Sequence, residues 1–402
     1  MCGGGICILS GSPTITDCNI IDNVVFSDGG GVYCENGNLS IVNSTIENNR
    51  AARGNGGGIF YSCSDKASIT KCVVRSNSSS TRGNGGCISI TGGQPTVNLC
   101  TIVQNTGGRG GGLCIIDCNS LISICSIKDN YAVSGGGLYI AGRGTSDRSN
   151  RIEQCRITGN SANSKAGGIS SIQCILYMSN CIVSGNTMLY GGAGGAVSIG
   201  GMVKAEINQC TIVGNKVAPN PEPGGWCLGG ALVLQMCDVK VTNSIIRENR
   251  AVNGSQIVII RSPLERPTIV VLHHNDLVKR ENEFVNIVDG TQLLTLEMTD
   301  NLDIDPCFAK AGLWVNPNNP NAIAEPNNMN AVWIDGDYHL KSRSGRWDQN
   351  TQSWIKDNVT SPCIDAGEPN TGYDEELWPH GKRINMGAYG GTAQASLSSL
   401  GN

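Results

Sequence analysis

The 402 residues include 54 glycines, only 5% are aromatic and 15% charged, and the formal net charge is −4. So much glycine and so little charge exclude a coiled coil or a helical bundle, and the balance gives no electrostatic case for nucleic acid. No apolar run approaches the roughly 18 residues of a transmembrane helix, and no signal-peptide pattern opens the chain.

From residue 3 onward a glycine-rich turn and an apolar-x-x-Asn step recur together about nine times, at a spacing of roughly 28 residues, the kind of fixed period that marks a solenoid. The steps end at Asn23, Asn49, Asn77, Asn105, Asn130, Asn160, Asn186, Asn215 and Asn249. Between turns the apolar residues come in pairs two apart, such as Val32 and Cys34, or Leu39 and Ile41. That period belongs to short strands with one buried face. β-Branched residues dominate the inward positions and glycine is too frequent for helix. Two or three strands per repeat predict stacked coils about 4.8 Å apart, nine or ten of which make a rod roughly 45 Å long. Met1-Cys2 runs directly into the Gly3 turn without a capping segment, so the chain is expected to be a fragment or to begin at a mis-called start.

Nineteen cysteines suggest disulfides, but their placement argues for reduced thiols. Cys18, Cys72, Cys100, Cys125, Cys155, Cys181 and Cys210 fill one repeat position, and Ser44 and Ser244 fill the same slot. A slot shared by Cys and Ser wants a small side chain, which predicts a ladder of buried thiols acting as small hydrophobes. Zinc is disfavoured, since no CxxC pair occurs and His is scarce. The repeated Asn residues predict a second ladder, in which a turn Asn accepts left-handed backbone and bonds along the rod.

The rhythm fails after Asn249, although strand-like runs continue to about residue 300. The chain therefore divides into a coil region, 1–300, and a loop-rich closing segment, 301–402, where Pro, Asn and Trp accumulate. Trp333, Trp347, Trp354 and Trp378 are the large apolar side chains expected to close the open end of the coil.

The paired motifs, read at Gly3-Gly4-Gly5-Ile6, Gly135-Gly136-Gly137-Leu138 and Gly229-Gly230-Ala231-Leu232 with their Asn steps, resemble the repeats of the polymorphic-membrane-protein type of β-helix. The phrases Asp305-Pro306-Cys307-Phe308, Asp337-Tyr338-His339-Leu340 and Ser361-Pro362-Cys363-Ile364-Asp365-Ala366-Gly367 resemble the closing segment of secreted β-helix proteins of planctomycete-type bacteria. Together the resemblances imply an all-β fold: a single-stranded, right-handed parallel β-helix of the pectate-lyase-like kind, with an irregular C-terminal cap. They also imply an extracellular or cell-surface location and an adhesive role.

Chemistry is written faintly. Arg143, Asp147 and Arg148 lie in one long inserted loop, and Glu35 and Asp65 follow first-strand positions on successive coils. Their plain reading is solvated loop charge. Asp335 with Asp337, and Asp365 with Glu368, offer the oxygen ligands calcium takes, without an EF loop or GGxGxD repeat to support them. No other cofactor is implied. The sequence points first to a non-catalytic rod that binds polysaccharide or cell-surface glycan. The alternatives are a polysaccharide lyase or glycoside hydrolase working in a groove along the coil, and a passive scaffold segment of a larger secreted protein.

Overall fold

The computed structural model describes residues 3–62, 66–143, 147–219, 227–260, 268–279, 284–287, 294–324, 328 and 330–398. Among them there is no helix; the chain is a right-handed parallel β-helix, as the repeat predicts.

One coil shows the plan. Val32–Glu35, Ser40–Val42, Thr45–Glu47 and Arg50–Ala51 are its four strands, each pairing in parallel with its counterpart on the next coil. The first and second strands belong to a 20-stranded sheet, and the third strands form a ten-stranded one. The fourth strand escapes the sequence pattern because it is so short and its inward residue is small, as at Ala51, Ala132 and Ala162. Identical slots stack exactly in register: Ile46, Val74, Ile102, Ile127, Ile157, Val183 and Ile212 form one column, all fully buried. Burying each such side chain contributes about 1.5–3 kcal/mol.

The corners are built by residues in the left-handed region, which lie one place before the ladder positions. Asp22, Asn48, Ser76, Gln104, Asp129, Gly159, Gly185, Gly214 and Glu248 have φ between +54° and +65°. The ladder Asn that follows each of them is not left-handed, which corrects the expectation for that residue. Its role is hydrogen bonding: Asn130 Nδ2 donates to Asn160 Oδ1 at 2.9 Å and to Ile102 O at 3.0 Å, while its own Oδ1 accepts from the Asn105 backbone N–H and from Asn105 Nδ2. The same bonds repeat from Asn23 to Asn249, where Gln256 Oε1 accepts the last amide at 2.8 Å.

The cysteine slot sits at the opposite corner. Cys72, Cys100, Cys125, Cys155, Cys181 and Cys210 are buried and free, while Cys18 on the first coil is exposed. Each of these thiols donates to the carbonyl two residues earlier, at 3.1–3.3 Å. Ser44 and Ser244 Oγ do the same, and Asn275 and Asn301 continue the column with amide donors. The slot therefore selects a compact donor for a buried carbonyl, beyond small size alone.

The closing segment does not lie over the end of the coil. It folds back as a strap along the third-strand sheet. Inward-facing Leu296 and Met298 of the last coil strand are left 37% and 38% exposed. Trp333 and Trp314 lie on the coil flank, Trp347 and Trp354 pack edge-on within one hairpin, and Trp378 is exposed. The expectation that these tryptophans close the open end is thus corrected. The strap is held to the flank by side chains of its own, with Tyr338 and Ala388 packed on Ile182 and Val213.

Candidate functional site

The strap leaves a footprint on the coils. Third strands up to Ser126–Lys128 keep their outward residues partly exposed, whereas Ile182–Ser184 and Thr211–Val213 are buried throughout. Ile182 and Val213 pack against Tyr338 and Ala388, and Ile245 packs against Leu340, Cys363, Ile364 and Met386. Asn180 Nδ2 donates to the Ala388 and Gly390 carbonyls at 3.1 and 2.8 Å, and Trp314 Nε1 donates to Gly214 O at 2.8 Å.

A polar network runs through this interface. Asp335 Oδ2 accepts from Arg156 Nη2 at 2.7 Å, and Asp335 Oδ1 accepts from Ser184 Oγ at 2.7 Å and Tyr338 OH at 2.8 Å. Burial raises the Asp335 carboxyl, but Arg156 and the hydroxyl donors outweigh it and hold the group below the usual carboxylate range. Asp337 Oδ1 lies 2.6 Å from His339 Nδ1, and Arg346 approaches Asp337 and Asp348 while donating to Asp357. The His339 ring stacks on Tyr389 with centroids 3.6 Å apart. Tyr389 OH in turn accepts from Arg156 Nη1 and Gln349 Nε2, at 3.3 and 3.0 Å.

Beside Tyr389, at the cysteine-slot corner, the strap and the coils enclose a pocket of about 480 Å³. Four amide side chains line it: Gln154, Asn180, Gln349 and Gln394. Ile124, half-exposed, forms an apolar wall, and Glu375 is the one carboxylate. Such a lining offers mainly amide donors and acceptors around an aromatic edge, with the Arg156 guanidinium and the Glu375 carboxylate as its charged groups, which suits a hydroxyl-rich ligand.

The residues singled out from sequence fall in different places. Asp335 and Asp337 enter the strap network, but each carboxylate faces a different cation and is occupied by N–H and O–H donors, which does not fit a shared calcium ion. Asp365 Oδ1 accepts from the Gly381 backbone at 2.9 Å and Oδ2 from Ser398 Oγ. Glu35 Oε2 accepts from Tyr33 OH at 2.8 Å, next to the Tyr33–Phe60 ring stack on the first-strand face. Arg143 pairs with Asp117 at 3.4 Å, and Asp147 and Arg148 are exposed. Asp65 lies outside the described residues. Among the described residues no group of three or more His, Cys, Asp or Glu is placed to hold a metal. Arg156, Tyr389, Gln349 and the amides are residues that sequence reasoning missed. The outward third-strand slot carried no clean signal, since it holds Val73 on an uncovered coil and Thr211 beneath the strap.

A family model described as disaggregatase related matches residues 307–367, the stretch that contains Trp314, Trp333, Asp335, His339 and Gln349. No curated protein and no solved structure matches the chain. The match and the coil architecture together support a β-helix repeat protein. No helix among the described residues is long and apolar enough to cross a membrane.

Proposed function

We propose that this chain is a non-catalytic carbohydrate-binding rod working outside the cell or at its surface, with its ligand seat where the strap meets the coils. The amide-lined pocket beside Tyr389 carries this reading. Its polar groups match hydroxyls, and its lone carboxylate, Glu375, argues against glycoside hydrolysis, which ordinarily uses a pair. The match to the disaggregatase-related family covers residues 307–367 of the strap and includes Gln349 of this pocket, while the rest of the pocket's strap wall lies beyond it.

The test is incubation of the full chain with neutral and acidic polysaccharides, with and without calcium, following pull-down, reducing ends and unsaturated-uronate absorbance together. Retention without products is expected, weakened about tenfold by Gln394→Ala, the loss of one or two hydrogen bonds to a ligand. Product formation would replace the reading with a lyase or hydrolase, and failure to bind any polymer would remove it.

A further inference from the structure

A second pocket, of about 260 Å³, lies at the other lip of the strap, the Asn-ladder corner, between Trp333 and the coils. Its chemistry differs from the first. On the outward side of the fourth strands, Ser161, Thr187, Lys216 and Arg250 occupy successive rungs of one column. Lys216 is only 6% exposed, yet among the described residues no carboxylate pairs with it. Its Nζ donates to Asn328 O at 3.3 Å and sits 3.8 Å from the centre of the Trp314 ring. Arg250, on the next rung, is exposed and likewise forms no ion pair among the described residues.

A buried ammonium without a counter-charge is costly, and one carbonyl and one ring face recover only part of its lost hydration. Burial first, and then the charge of Arg250, pull the Lys216 amine down to about 8. The acid that shares the pocket, Asp129, stands three coils away, roughly 14 Å along the rod at the coil spacing, and is paired with Lys128. The pocket is therefore cationic at one end, with the Thr187 hydroxyl beside the amine and an indole as its wall.

We propose that the Lys216 end of this pocket is an anion subsite that takes the carboxylate of an acidic sugar residue. This rests on the glycan-binding reading and narrows it to polymers containing uronic acids. Lys216 Nζ supplies the charge, Thr187 a hydrogen bond, and Arg250 a longer-range attraction from the next rung.

The experiment titrates the full chain with polygalacturonate, with its fully methyl-esterified form, and with a neutral glucan. Polygalacturonate should bind about tenfold more tightly than the ester, the worth of one charge-assisted hydrogen bond, and salt should shrink the gap. Lys216→Met, which keeps the aliphatic contact with Trp314, should abolish the gap and leave binding of the ester unchanged. Should that variant fold poorly, Thr187→Val and Arg250→Gln should each narrow the gap. A gap that survives these substitutions overturns the subsite. So does equal binding of acid and ester by the unaltered chain, and in both cases glycan binding still stands. Binding of none of the three polymers overturns the subsite and the glycan reading together.

Discussion

Arg156 Nη2 and Asp335 Oδ2 lie 2.7 Å apart although 179 positions separate them in the chain. This pair, with Ser184 and Tyr338 on the same carboxylate, ties the strap to the sixth and seventh coils. Asp335→Asn keeps the shape and removes the charge, leaving Arg156 partly buried and unpaired. With both side chains a quarter to a third exposed, the loss is expected at about 1–3 kcal/mol, less than for a fully buried pair. A double-mutant cycle with Arg156→Met should return a coupling of about 1 kcal/mol or more. Additive effects would show that the pair does not fasten the strap.

Trp333 rests on the coil corner because Gly185 and Gly214 stand there in place of the Asp, Asn, Ser or Gln of the first five coils. A Cβ at Gly185 would come within 2.1 Å of the indole, and one at Gly214 within 2.0 Å. Both glycines are left-handed, at φ +61° and +65°, so alanine adds backbone strain of about 1 kcal/mol to the clash. Gly185→Ala is therefore expected to displace the strap while the coil stays folded. Limited proteolysis should cut within residues 303–398 and leave a resistant core. Gly159→Ala is the matched control, since its backbone is equally left-handed and its close neighbour is the flexible Asp129 side chain. Equal protease resistance of both variants and the parent would show that the indole has no such seat.

The coil was legible in the sequence because each inward slot recurs at a fixed period. One reading of Ile46 is also a reading of Val74, Ile102 and Ile127. The corner residues were harder. Left-handed backbone falls on residues as unlike as Asn48, Ser76, Leu99 and Ile124, so no residue type announces it, while the ladder Asn takes the next position. The donor role of the cysteine slot was half visible, since Ser44 and Ser244 share it, but a thiol bonding a carbonyl looks the same in sequence as a thiol filling space. The strap was not legible. Its partners sit 100 to 233 positions apart, with no period linking them. The pocket it forms consists of ordinary amides that acquire meaning only through that docking.

Asn130 uses every hydrogen-bonding group of its amide within the ladder. Asn130→Asp is nearly isosteric but turns both donors into an acceptor facing Ile102 O and Asn160 Oδ1. Two buried acceptors then lose their partners beside a buried charge, at an expected cost of about 3 kcal/mol or more. Asn23→Asp on the exposed first coil should cost far less, because water can replace the lost bonds. Comparable denaturant midpoints for the two variants would deny the interior ladder its stabilising role.

The thiol column predicts a chemical signature. Burial pushes Cys155 and Cys181 far up, and neighbouring thiols with burial push Cys100 up to about 12. With so little thiolate and no access, these groups should resist alkylation in the native protein. Rapid labelling should be confined to exposed Cys7 and Cys18, apart from Cys2 and Cys63, which lie outside the described residues. Mass spectrometry of briefly alkylated protein, before and after unfolding in denaturant, reads this directly. Native labelling at Cys125 or Cys155 would mean that the coil opens there.

Two pH windows should appear in the stability of the strap. Burial raises Glu376 from 4.5 to about 7, even though its carboxyl accepts the Asn385 and Gly391 N–H groups. The folded chain then holds that proton more tightly than the unfolded one. Glu376 therefore contributes stability that is complete below about pH 4.5 and is lost as the pH rises through about 7. Asp335 and Asp337 act in the opposite sense. Each is partly buried, yet Arg156 holds the first and His339 the second below its ordinary value of 3.8, so their contribution is present above that value and disappears as acid protonates them. Melting curves recorded at successive pH values should show stability falling on both sides of a maximum near pH 4–5, if these three groups dominate. Glu376→Gln should flatten the neutral limb alone and Asp335→Asn the acid limb. A neutral limb unchanged in Glu376→Gln would assign that slope to other groups.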